Sequence, residues 1–108
     1  MNTGNEQGME RGYRVDVDDN FHYMDERERW TLGTFATYLE ALAAAMQRVD
    51  KFFVKVEAGK TAEKLYAEYV AMGDDPFIVP CGGAPAPEKR FSAWNYARKC
   101  SIHRSQAS

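Results

Sequence analysis

The sequence is short of most features that announce a function. Its 108 residues include two cysteines, Cys81 and Cys100, too few for a disulfide framework and not in Cys-x-x-Cys spacing. Two reduced thiols in a cytoplasm are therefore expected. The longest unbroken apolar run, Ala41 to Met46, is far below the roughly 18 residues that a membrane helix needs. No basic region followed by an apolar stretch opens the chain, so a cytoplasmic, unexported protein is expected. Leu, Ile, Val and Phe number only 19, below the roughly one-fifth share that marks many disordered chains. Disorder also requires high net charge, and here it is only −2. Six Tyr, five Met, two Trp and 14 Ala supply the missing apolar surface, so one folded domain is expected. No serine or cysteine lies in a nucleophile elbow, and no glycine-rich loop opens a helix, since Cys81-Gly82-Gly83 runs into Pro85 and Pro87. No catalytic residue or cofactor is assigned on these grounds.

Charge is divided along the chain. Residues 1–30 carry −4, residues 31–87 carry −2 and residues 88–108 carry +4. An acidic body disfavours binding to a phosphate backbone, which depends on clustered Lys and Arg displacing counterions. The basic end, with Lys89, Arg90, Arg98, Lys99 and Arg104, leaves nucleic-acid binding by a C-terminal helix as a third reading, and could equally lie against the acidic half.

Apolar periodicity organises the chain. Residues 1–12 have the composition of a disordered terminus. Tyr13, Val15 and Val17 alternate with Arg14, Asp16 and Asp18, the period of a half-buried strand. A second strand is predicted over Arg29 to Phe35, with Trp30, Leu32 and Thr34 on one face, making a hairpin with a long connection. Thr37 and Glu40 fit a capping box for a helix starting at Tyr38. Its apolar stripe is Leu39, Leu42, Met46, Val49, Phe53 and Val56, widened by Tyr38, Ala45 and Phe52. Thr61 caps a second helix with Leu65, Tyr69 and Met72 inward, closed by Gly73. Asp75 before Pro76 must be extended, so residues 76–80 read as a short edge strand. Residues 81–90 read as a Gly/Pro linker, 91–103 as a helix capped by Ser92 with Phe91 stapled on Tyr96, and 104–108 as a frayed tail. The expected fold is α+β, in the order β-β-α-α-β-α. A small antiparallel sheet, made of the hairpin and the short edge strand, is covered by the long amphipathic helix. Residues 13–80 form the core domain, and the docking of the last helix stays open.

The connection between the first two strands is the most unusual segment. Asp16-x-Asp18-x-Asn20 opens like a calcium-binding loop, but position six is Phe21 instead of Gly and position twelve is Arg27 instead of Glu. Cys100-x-x-His103 with Cys81 and His22 does not match a zinc spacing. No metal site is therefore assigned. Phe21, His22, Tyr23 and Met24 form an apolar cluster followed by Asp25 and Glu26. One reading folds these side chains over the open end of the core as a latch, since large exposed apolar patches are uncommon on monomers. The other makes Phe21, His22, Tyr23, Met24, Asp25 and Glu26 a recognition surface, helped by Trp30 or Trp94. Its partner would be a protein with Lys or Arg around an apolar groove, or a second copy paired through the loop or the edge strand. The leading functional expectation is a small non-catalytic interaction module using this loop. The alternative is a small enzyme or ligand-binding regulatory domain using His22 with Asp19, Asp25 and Glu26.

The string Val17-Asp18-Asp19-Asn20-Phe21-His22-Tyr23-Met24-Asp25-Glu26, with Asp75-Pro76-Phe77-Ile78 and Phe91-Ser92-Ala93-Trp94, resembles a group of small uncharacterised bacterial proteins over about Tyr13 to Cys100. The resemblance implies a bacterial cytoplasmic domain that stands alone. It carries over no catalytic or ligand residue.

Overall fold

The computed structural model describes residues 11–22, 26–55 and 59–107. Strand β1 (Gly12–Asp19) leads through two 3-10 turns, Asn20–His22 and Glu26–Glu28, into β2 (Trp30–Phe35). Helices α1 (Tyr38–Val54) and α2 (Ala62–Met72), strand β3 (Asp74–Cys81) and helix α3 (Ala93–Ala107) follow. The chain is thus an α+β fold in the order β-β-α-α-β-α. Its sheet is antiparallel with strand order β2-β1-β3.

The central strand carries the core pattern. Tyr13, Val15 and Val17 are buried, and Ala41 and Ala45 of α1 pack on the sheet with Leu32, Phe35, Tyr38 and Ile78 around them. Farther along α1, Val49 and Phe53 join Leu65 and Tyr69 of α2 and Ala93 and Ala97 of α3 in a second cluster. Helix α1 is therefore shared: its first half covers the sheet and its second half gathers the other helices. Each large side chain sealed there contributes about 1.5–3 kcal/mol.

Several local details depart from the sequence reading. The buried ridge of α1 is Ala41, Ala45, Val49 and Phe53, while Leu39 is 74% exposed. Small alanines let the helix axis approach the sheet, so the seam follows side-chain size as well as hydropathy. Val56 lies outside the described residues. Met72 of α2 is 60% exposed although Leu65 and Tyr69 are sealed. Strand β2 does not alternate simply, because Val15 faces Gly33 while Asp16 faces Thr31, which leaves Leu32 as the extra residue of a bulge. Trp30 consequently sits opposite Val17, half exposed, with the Arg48 guanidinium 4.9 Å from its ring centroid. The solvent face of β1 is only partly wet. Asp16 is 6% exposed and accepts from Arg14 Nε (2.9 Å) and the Thr31 hydroxyl (2.8 Å). Strand β3 pairs with β1 along its whole length, from Asp74 opposite Asp19 to Cys81 opposite Gly12, so it is longer than the short edge strand expected at residues 76–80.

The caps behave as their residue types dictate. Thr37 and Glu40 form a reciprocal capping box, and Thr61 accepts from the Lys64 amide. Ser92 accepts from the Asn95 amide (3.2 Å), and Phe91 meets the Tyr96 ring at 6.1 Å. Helix α3 is docked, and it runs on to Ala107, past the expected end at His103. Its seam is Ala93, Ala97 and Ser101, all buried, and the Ser101 hydroxyl donates back to Ala97 O (2.9 Å). The segment after β3 turns at Gly82 and Gly83, both at positive φ. It is pinned to the core by the Tyr13 hydroxyl, which donates to Pro85 O (2.6 Å).

Candidate functional site at the β1–β2 connection

The chain leaves the sheet at Asp19 because Asn20 is captured by another element. The Asn20 amide donates to Gly73 O (2.9 Å) and its side-chain Nδ2 donates to Tyr69 O (2.9 Å). Asn20 is 7% exposed. Both acceptors lie at the C-terminal end of α2: Tyr69 O also accepts from the Gly73 amide (2.8 Å), while Gly73 O lies past the last helical turn, where carbonyls accept donors from outside the helix. The residues beneath are rigid. Tyr69 is fully buried, stacks on Phe53 at 5.9 Å, meets the edge of Phe52 at 5.6 Å and donates its hydroxyl to Asp74 O. Burial also pushes the Tyr69 phenol well above its ordinary pKa, so it stays a neutral donor.

The next two residues face outward. The Phe21 amide donates to Asp19 Oδ1 (2.9 Å), closing a turn over the carboxylate. His22 Nδ1 lies 3.0 Å from Asp19 Oδ2 and 3.9 Å from Glu28 Oε1. The His22 hydrogen bond, and then the Phe21 amide, hold the Asp19 carboxyl below the usual carboxylate range. The Phe21 ring is 62% exposed and touches His22 edge-on at 4.9 Å. Phe21 and His22 therefore do not fold over the core, contrary to the latch reading. Asn20 is the latch, and it serves through hydrogen bonds instead of apolar burial. Tyr23, Met24 and Asp25 lie outside the described residues, and the Glu26 backbone opens the second 3-10 turn.

Asp19, His22 and Glu28 bring one ligand atom each to within 4.8 Å of one another, the one such group of three among the described residues. Chemically the group can orient an imidazole between two carboxylates or hold a cation by one nitrogen and two oxygens. Among the described residues His22 meets Asp19, as one alternative expected, and Glu28, which it did not include. The calcium-like set does not converge. Asp16 is committed to Arg14 and Thr31, Asp18 to Arg29 (2.7 Å), and Asn20 to α2. The four zinc candidates do not converge either, although Cys100 and His103 of α3 line one groove. Cys81 ends β3 and contacts Val79 O, and Cys100 faces Asp50 across α1 and α3.

The basic residues of the C-terminal region do not form one stripe. Arg98 stacks on Tyr66 at 4.2 Å, Arg90 lines a groove beside β3, and Lys99 and Arg104 line another between α1 and α3. That second groove escaped the sequence reading, because its two walls are about fifty residues apart in the chain. Trp94 is half buried against the helical cluster. No helix among the described residues is long and apolar enough to cross a membrane. Comparison with protein-family models, with curated proteins and with solved structures found no match.

Proposed function

We propose that this chain is a small interaction module that binds a protein partner through the turn Asp19–His22 and the residues that follow it, in a bacterial cytoplasmic setting. The exposed Phe21 ring carries the reading. An aromatic side chain 62% exposed on a turn that Asn20 fastens to α2 is a preorganised anchor, and anchors of this kind dominate binding energy when a partner desolvates them. Asp19 and Glu28 supply a carboxylate rim, so the complementary surface is an apolar pocket edged by Lys or Arg. Replacing Phe21 by Ala tests this. The variant keeps the stability of the parent and loses the proteins captured by the parent from its native cell. A variant that stays folded and captures the same proteins refutes the proposal, and so does one whose stability collapses while its folded fraction captures them as before.

The convergence of Asp19, His22 and Glu28 favours a second reading, a ligand-binding or catalytic role for His22. It requires amide resonances of residues 19–22 and 28 to move when divalent metals, nucleotides or common metabolites are added. Silence there under every ligand removes it.

A further inference from the structure

The groove between α1 and α3 has the chemistry that the Phe21 turn requires of a partner. Phe53 and the exposed Val54 of α1 make its apolar wall, while Lys99, His103 and Arg104 line its α3 side. Its volume is about 390 Å³, and cavities of roughly 150 Å³ already accept a benzene ring. The carboxylate inside it, Asp50, accepts on one oxygen from the Tyr96 hydroxyl (2.8 Å) and from the Cys100 thiol (3.6 Å), and it is outnumbered by the cationic Lys99 and Arg104. The groove thus offers a visitor an apolar wall with an edge whose balance of charge is basic. The Phe21 turn is its counterpart, an exposed ring beside Asp19 and Glu28. The same opposition appears along the sequence, where residues 1–30 carry −4 and residues 88–108 carry +4.

We infer that the partner of the Phe21 turn is a second copy of this chain, whose α1–α3 groove receives it. The inference rests on the reading of that turn as a recognition surface. Turn and groove are different surfaces and each copy presents one of each, so two reciprocal contacts close a two-fold dimer and a single contact leaves a chain open to further copies. Opposite charge brings the two surfaces together and desolvation of Phe21 holds them.

Sedimentation velocity over a concentration series tests this with the full chain. The parent associates at low salt and dissociates at high salt, because the rim charges are screened. Phe21→Ala and Lys99→Glu, both at exposed positions, keep their thermal stability and each weakens self-association by about tenfold or more. Mixing the two variants restores association in a 1:1 complex, since the first retains an intact groove and the second an intact turn. A parent that stays monomeric at several hundred micromolar and low salt overturns the inference. So does an association that neither variant weakens, or a mixture that stays monomeric. If the parent is monomeric while Phe21→Ala still loses a protein captured from the native cell, the turn remains a recognition surface and only the second copy is refuted. If the parent is monomeric and benzoate moves the Lys99 and His103 resonances, the groove belongs to small organic anions.

Discussion

Gly73→Ala strikes the junction on which the whole site rests. Gly73 has φ −82°, a value any residue adopts, so backbone strain does not arise. The obstacle is space: a Cβ there would lie 2.8 Å from Tyr69 Cε1 and 2.9 Å from Tyr69 O. The tyrosine has no room to retreat, since Phe52 and Phe53 hold its ring and Asp74 O holds its hydroxyl. Overpacking of this kind costs about 1–3 kcal/mol. Displacing Gly73 O also weakens its bond from the Asn20 amide, worth about 1 kcal/mol. Stiffening of the unfolded chain by alanine returns about 0.4–1 kcal/mol. The net loss is about 2 kcal/mol, or about 10 °C in Tm for a domain of this size. Urea denaturation followed by far-UV circular dichroism reads the stability, and amide spectra read the response of Phe21 and His22. Gly83→Ala is the control. Gly83 has φ +80° with nothing near its virtual Cβ, so that variant is strained locally and leaves the Phe21 and His22 resonances in place. A Gly73→Ala protein as stable as the parent, with unmoved Phe21 and His22 resonances, refutes the seat.

Two further predictions come from half-buried titratable groups. The Asp75 carboxyl is pushed up to about 6 by burial and by the facing Asp18, whereas in the unfolded chain it titrates near 4, roughly the ordinary value. Between these values the folded state binds more protons than the unfolded one, so this group makes stability fall as pH rises through that window and adds no slope above it. Asp75→Asn removes that slope in urea titrations at a series of pH values, and identical pH profiles for the two proteins contradict the assignment. The Cys100 thiol is pushed up to about 11 by burial and by the Asp50 carboxylate. In a Cys81→Ser background, alkylation by iodoacetamide at mildly alkaline pH proceeds about tenfold slower than for an ordinary free thiol, the lower thiolate fraction being partly offset by the greater nucleophilicity of a high-pKa thiolate, and an ordinary rate refutes it.

What the sequence disclosed follows from the range of its interactions. The alternation of Tyr13, Val15 and Val17, the Thr37 and Glu40 capping box and the extended backbone forced on Asp75 by Pro76 act within one element, and each is where the sequence places it. The long-range facts were not legible. Nothing in Trp30–Phe35 marks Leu32 as the bulged residue, because the bulge depends on the register with β1. Apolar periodicity places Leu39 on the α1 ridge because alanines count for little in it, yet Ala41 and Ala45 decide how close the helix can lie and Leu39 is left in solvent. Asn20 looked like a metal ligand in its local string, and its true partners, Tyr69 and Gly73, are separated from it by two helices of chain. The loop could be singled out from its composition, but whether Phe21 points inward or outward depends on that distant anchor.

The central claim is that Phe21 faces solvent on a fixed seat and does not close the core. The unfolding free energy of Phe21→Ala, measured beside the parent by urea denaturation at low protein concentration, tests this most directly. An outward ring costs less than about 0.5 kcal/mol when removed. A loss of about 3 kcal/mol or more, the signature of a buried phenylalanine, places the ring in the core and contradicts the account.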